Sequence, residues 1–525
     1  MRSSRKQLRV SALCAAALFA AFALNACTET TPTPKPVSPI ASAQPSASAD
    51  VTPVADALGP PPKLDEPAMY SPPAPVVFDG PGGSKVWLIE RKSLPIVSIS
   101  LVVPYGASLD PAGQAGLAHV TADMLDEGAG SRDALAYSTA LDELGAKLSS
   151  YSDRDMSIVS VEVLSDRLDK TLPLMADAVI RPRHDAKDFE RVSKLWKNAL
   201  KARGDDPNEV ARNVTTAVYY GEGHPYAKPV DGSFESAAKI TLPNVVAHHK
   251  KLWRPDVATF VVVGQTSKEA VSAMLNSAFA GWAAPKEAAP APVAPAPPKS
   301  GALRTVIVDR PNAPQVVMSI VREGVSAANP QQPILSLMNV ALGGSFTSRL
   351  NQNLREKHGW TYGARSRFNL QRGSGMFVAR AAIRTDAITP ALKETLAEIR
   401  GMAASGLSEE EIHKVKAQMR ADAVDTYGTS RGIASSLASN VGVGLGADAD
   451  ASVLKAQAAA PKASINELAK SFLALDHAVI VLVGPREEAE AALKANELPA
   501  PELRDAEGKP VKASAAATKV QKPTK

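Results

Sequence analysis

Residues 85–106, KVWLIERKSLPIVSISLVVPYG, decide the fold, because a second version of them, RTVIVDRPNAPQVVMSIVREG, occupies residues 304–324. Each version carries a strand, a turn around Pro95 or Pro314, and a second alternating strand closed by Gly106 or Gly324. The ends of the two halves match as well. VATFVVVG finishes at Gly264 and HAVIVLVG at Gly484, an offset of 220 that the openings share to within two residues. Two short strands resemble each other easily; four markers at one offset rarely do, so the body reads as a duplication.

Between the markers both halves follow one plan. In the first, helical periodicity covers residues 116–126, 135–144, 167–180, 188–203 and 207–220, and period-two alternation predicts strands at 147–152 and 157–164. In the second, helices are expected at 332–342, 346–356, 388–404 and 409–427, with a strand pair at 363–369 and 375–382. Strands and helices in this arrangement make each half α+β, a mixed sheet packed with helices. Trp196 falls on an amphipathic helix as a core residue, and His248-His249 read as a pair on a helix surface.

Outward from these halves the composition changes. The expected division is 1–26 as a signal peptide, 27–75 as a Pro/Ala/Ser-rich tether, 76–283 as the first half, 284–301 as a Pro/Ala linker, 302–498 as the second half, and 499–525 as a disordered Lys-rich tail. At the start, Arg2, Arg5, Lys6 and Arg9 lead into an apolar run over 10–24 and then Leu24-Asn25-Ala26-Cys27. This pattern marks an exported chain. It resembles the lipobox of bacterial lipoproteins, which implies lipidation of Cys27 and a membrane anchor through that lipid. The implied location is the bacterial envelope, with the outer membrane facing the periplasm favoured because Thr28 is not Asp.

Removing the signal takes four of the 59 basic residues and none of the 54 acidic ones, so the net charge falls from +5 to about +1. That excludes the electrostatic footprint of a nucleic-acid binder. The only cysteines are Cys14 and Cys27, which leaves the body without a disulfide or a cysteine-based metal site. No Gly-x-Ser-x-Gly elbow follows a strand, so a serine hydrolase is unsupported.

The chemistry-bearing stretches lie at matching places in the halves. The first half has Tyr105-Gly106-Ala107-Ser108-Leu109-Asp110-Pro111, Gly116-Leu117-Ala118-His119 and Gly223-His224-Pro225-Tyr226. The second has Leu342-Gly343-Gly344-Ser345-Phe346, Leu354-Arg355-Glu356 and Gly359-Trp360-Thr361-Tyr362-Gly363. With the duplication, these motifs resemble the pitrilysin/insulinase metallopeptidase family, in the size class of its mitochondrial-processing-peptidase-like bacterial members. The resemblance implies a clamshell of two homologous halves and a peptide substrate added as a strand to a sheet edge.

The family's zinc motif is His-x-x-Glu-His on a helix with a further Glu about eighty residues on: two His and the distal Glu hold the metal, and the motif's Glu is the base. Here the matching residues are His119, Ala122, Asp123 and Ala199, so only the first His survives. The second half keeps the family's Arg and Tyr seven apart, as Arg355 and Tyr362, which the resemblance assigns to gripping substrate. Arg355 should end a helix, Gly359 break it and Tyr362 open the next strand.

These readings make the chain a non-catalytic, substrate-binding subunit of a heteromeric zinc peptidase. No metal or other cofactor is expected in this chain; zinc would sit in a peptidase-family partner of the heterodimer. The alternatives are an active zinc metallopeptidase with a displaced site, and a peptide-binding or scaffold lipoprotein without a peptidase partner.

Overall fold

The computed structural model describes residues 70–299 and 301–511. The signal peptide, Cys27 and most of the tether therefore lie outside the described residues. Twelve strands form two six-stranded sheets. The first half supplies β1 (Val76–Asp79), β2 (Lys85–Glu90), β3 (Ile96–Val103), β4 (Lys147–Ser152), β5 (Ser157–Leu164) and β6 (Thr259–Gly264). The second supplies β7 (Arg304–Asp309), β8 (Gln315–Glu323), β9 (Thr361–Asn369), β10 (Met376–Arg384), β11 (Val479–Gly484) and β12 (Glu502–Arg504). The orders are β1-β2-β6-β3-β5-β4 and β12-β7-β11-β8-β10-β9, so five of the six strands correspond one to one.

The sixth strand exposes a correction. Residues 499–525 were expected to be a disordered tail, but β12 pairs in parallel with β7, and Lys509 reaches back to Glu235 of the first half at 3.1 Å. The reason is local: the outer edge of β7 has unpaired backbone groups, and Leu503 packs against the second-half core. In the first half the same edge is filled from the other end of the chain, by β1 running antiparallel to β2.

Each sheet has its own helices on one face. In the first half, helices Ala134–Glu143, Leu168–Ile180 and Lys268–Ala278 bring Tyr137, Leu172, Met175 and Leu275 against Leu88, Ile99, Leu101 and Phe260. In the second, helices Ile388–Ser405, Lys462–Phe472 and Arg486–Ala495 bring Leu392, Ile399, Ile465 and Leu493 against Ile307, Met318, Ile320 and Leu482.

The opposite faces are covered by exchange. Helix Pro207–Tyr220 of the first half lays Val210, Ala211, Val214 and Val218 on Val306, Val317, Val321 and Val481 of the second sheet. Helix Ser430–Val443 of the second half lays Ile433, Ala434, Leu437 and Ala438 on Trp87, Val102, Val261 and Val263 of the first. Covered on both faces, β6 (TFVVVG) and β11 (VIVLVG) are buried at every residue, which accounts for their unbroken apolar runs.

Polar contacts lock the exchange. Tyr226 Oη donates to Asp155 Oδ1 at 2.7 Å, while the backbone N–H of Arg372 donates to Asp155 Oδ2 at 2.8 Å and that of Gly373 to Tyr226 Oη at 3.0 Å. The Pro/Ala linker runs between the halves as a pinned strap. Tyr105 Oη donates to the Pro290 carbonyl at 2.8 Å and His224 Nε2 to that of Ala296 at 3.0 Å.

His248 and His249 differ from expectation too. Both are buried, and His249 Nε2 bonds the Val179 carbonyl at 2.9 Å. Burial pushes both imidazoles down to about 4, so they are neutral core groups. The pair looked like a surface because the residues around it, Lys250 and Lys251, are charged; the packing of this helix onto its neighbours is a tertiary fact.

The exchanged helices should behave as core. Leu437 is fully buried, so Leu437→Ala should lower the free energy of unfolding by about 2–5 kcal/mol. Leu135→Ala, at a residue 78% exposed, should change it by under about 0.5 kcal/mol. Urea denaturation of the two variants measures the contrast.

Candidate functional site

His119 stands on the short helix Leu117–Asp123, whose position is set by a buried carboxylate. Asp110 Oδ2 accepts from the Gly116 N–H at 2.7 Å and Oδ1 from that of Ala118 at 2.9 Å, satisfying donors that a helix start leaves open. Burial pushes the Asp110 carboxyl up to about 7 against the pull of these amides. Gly116 has φ +93°, and a Cβ there would stand 2.6 Å from Trp196, so only glycine lets the chain turn into this helix. At the other end, Ser150 Oγ on β4 donates to the Ala122 carbonyl at 2.8 Å.

Around this helix a cavity of about 450 Å³ is lined by His119, Asp123, Ser150, Arg191, Trp196 and Ala199, among others. Three of the four positions singled out in the sequence thus meet in one cavity. The fourth, Ala122, is fully buried beneath it. His119 Nε2 lies 3.4 Å from Asp123 Oδ2, and its ring meets the Trp196 ring edge-on at 5.9 Å. Trp196 Nε1 donates to the Asp231 carbonyl at 2.9 Å, which fixes the indole as a wall. Burial raises the Asp123 carboxyl above the usual carboxylate range, with His119 opposing. Asp126, also lining the cavity, is pushed up to about 6 by burial and by Glu127.

These residues do not fit a catalytic zinc. Such a site needs three protein ligands and a base, and the positions of the third ligand and the base carry only the methyl groups of Ala199 and Ala122. Among the described residues no three His, Cys, Asp or Glu side chains converge as a metal group would require. The cavity keeps the shape of a site without its donor set.

The second half places Arg355 in a widened helical turn, Gln352–Lys357, followed by Gly359 at φ +64°. The Arg355 guanidinium sits 4.6 Å over the ring of Phe346, itself largely exposed, and 3.3 Å from Glu356. Tyr362 is 91% exposed on β9, the outermost strand. The β9–β10 register slips between Ala381 and Ile383, so Tyr362 and Gly363 together oppose one residue, and this bulge aims the phenol at solvent. Among the described residues no hydrogen bond or ion pair joins Arg355 or Tyr362 to the His119 cavity.

Sequence reasoning missed Asp110 as the anchor of the His119 helix and Trp196 as a cavity wall. The signals were present: an Asp just before a helix start, and a Trp three residues from Ala199 on one helix face.

Comparison with known proteins agrees with the two-half α+β fold. Residues 85–229 match the family model described as insulinase (peptidase family M16), and residues 239–419 the one described as the peptidase M16 inactive domain. A protein of Mycobacterium bovis named an uncharacterized zinc protease is 24% identical over 340 residues, covering 65% of this chain and 77% of that protein. One of the same description from Streptomyces coelicolor is 23% identical over 352 residues, with coverages of 66% and 75%. A solved peptidase M16 inactive-domain structure from Pseudomonas fluorescens superposes with a TM-score of 0.72 at 25% identity, over 78% of this chain and 98% of its own. A protease structure from Helicobacter pylori gives a TM-score of 0.72 at 18% identity, over 78% and 99%.

The purified protein should hold well under one zinc per chain and cleave no peptide alone, since loss of a general base by itself costs about 10²–10⁴ in rate. Elemental analysis and a chelator-controlled cleavage assay check this; one tightly held zinc with chelator-sensitive cleavage would contradict it.

Proposed function

This chain belongs to the insulinase family of peptidases, family M16, and we propose that it is a non-catalytic member that holds peptide substrate for a zinc-bearing partner chain in the bacterial envelope. The carrying observation is the contrast between the halves. The first keeps the cavity but has Ala122 and Ala199 where a base and a ligand would be needed; the second keeps Tyr362 on an accessible sheet edge and Arg355 on the helical turn just before it. A guanidinium and a phenol can donate to a peptide carbonyl, and such donors matter most where negative charge develops on that oxygen. Asn351 Oδ1 already takes the Ala364 N–H at the start of β9, so an extended peptide would pair with the edge of β9 beyond Ala364.

In this reading the metal belongs to the partner, and this chain contributes positioning. The model described as inactive covers residues 239–419 and the zinc-motif positions fall in the other match, so the non-catalytic reading rests on Ala122 and Ala199. The lipid on Cys27 would tether the body to the membrane. No helix among the described residues is long and apolar enough to cross one.

The first test is on the mixed complex. Co-purification with a chain bearing an intact His-x-x-Glu-His motif comes first. Arg355→Ala or Tyr362→Phe should then slow peptide hydrolysis by roughly 10²–10³ while leaving assembly and zinc content unchanged. Asp123→Asn serves as the internal control and should have little effect. If both substitutions leave turnover within about twofold, the scaffold reading becomes the better one.

The second test concerns the anchor. Cys27→Ser should release the protein from the membrane fraction, as detergent partitioning or labelled-lipid incorporation would show. Retention after a high-salt wash contradicts the lipid-anchor reading.

A further inference from the structure

The second sheet carries an arginine cluster on the face shared with the exchanged helix. On β8, Val317 and Val321 pack under helix Pro207–Tyr220, so Ser319 between them faces the same way. On β10, Met376 and Ala382 belong to that face, and Arg380 shares their parity. On β9, Ala364 and Phe368 pack on the opposite core, which turns Arg365 and Arg367 to the helix side. The register completes the picture: Ser319, Arg380 and Arg365 stand in one cross-strand row, with Arg367 in the next such row beside Val378.

Arg380 Nε donates to Ser319 Oγ at 3.0 Å, and among the described residues no carboxylate pairs with its guanidinium. The charged neighbours that act on it are Arg367 and Arg212, the latter from the exchanged helix. Burial, with these cations beside it, holds Arg380 down at about 10. Arg367 is lowered by burial and by Arg212 in the same way. Among the described residues the one ion pair made by a member of the cluster is that of Arg212 with Glu209. Four cations therefore share one carboxylate, and like charges on neighbouring strands are destabilising.

Two comparisons within the chain sharpen this. The corresponding row of the first sheet, Ser100, Ser160 and Ser149, is neutral, and the arginine nearby, Arg431, is paired with Glu162. On the second sheet Arg322 is also partly buried, but it has Glu323 and Asp476 acting on it. Charges on an edge strand commonly serve only to discourage unwanted pairing. That accounts for Arg365 and Arg367 on the edge strand itself, but not for Arg380, half-buried one strand further in.

We propose that Arg365, Arg367 and Arg380, with Arg212, form an anion subsite that selects acidic peptides laid along the edge of β9. The proposal rests on the peptide-holding reading and adds the substrate class. A strand added beside β9 would project alternate side chains onto the arginine face, so residues two apart would meet Arg365 and Arg367 in turn. The preferred pattern is Glu-x-Glu.

Fluorescence anisotropy with the purified protein and labelled peptides tests it. Three peptides of one strand-forming sequence carry Glu-x-Glu, Thr-x-Thr or Lys-x-Lys at the central positions. The acidic peptide should bind about tenfold more tightly than the neutral one at low salt, the basic peptide more weakly, and the differences should shrink in 0.5 M salt. In the Arg365→Gln/Arg367→Gln double variant the acidic advantage should disappear. Equal affinity for all three peptides, or an acidic preference that survives in the double variant, overturns the subsite and leaves the peptide-holding reading standing. Binding of none of the three overturns both.

Discussion

Helix Pro207–Tyr220 lies on the second sheet and helix Ser430–Val443 on the first, so each half closes the core of the other. The central strands are apolar on both faces, and a sheet of that kind cannot leave one face in water. Each half therefore depends on the other for a layer of its own core. The node of Asp155, Tyr226, Arg372 and Gly373, and the linker carbonyls of Pro290 and Ala296, fix the exchange at its polar rim. Residues around His224-Pro225-Tyr226, conspicuous in the sequence as a motif, are part of this lock.

The exchanged helices lie over β3 and β6 in one half and over β8 and β11 in the other. The outer strands β5 and β4, and β10 and β9, continue beyond them with a free edge. These margins are where the two halves have diverged. At the first, β4 supports the His119 helix through Ser150, and His119, Asp123 and Trp196 line a cavity beside it. At the second, a bulge presents Tyr362 and a run of arginines lines the strand. Duplication supplied one frame twice, and the side chains at its margins gave the halves different chemistry.

Much of this was legible because it depends on short-range pattern. Period-two alternation located β4 and β5 at residues 147–152 and 157–164, and the paired Gly264 and Gly484 ended corresponding strands. The spacing of His119, Asp123 and Ala199 placed three residues that do line one cavity. The misses share a cause as well. His248 and His249 are flanked by lysines, Leu503 sits in a Lys-rich tail, and the second-half helices near residues 340–357 widen into turns that a 3.6-residue period does not describe.

The sequence by itself determined the duplication, the α+β class of each half, and which side chains stand at residues 119, 122, 123 and 199, because these are statements about residue identity and local periodicity. Tertiary structure alone decided which sheet each crossing helix covers, that β12 joins β7, and that Arg365, Arg367, Arg380 and Arg212 share one neighbourhood. Those facts depend on strand register and on contacts between residues up to more than 300 positions apart. A charge or an apolar face in the sequence carries no record of the partner that folding brings to it.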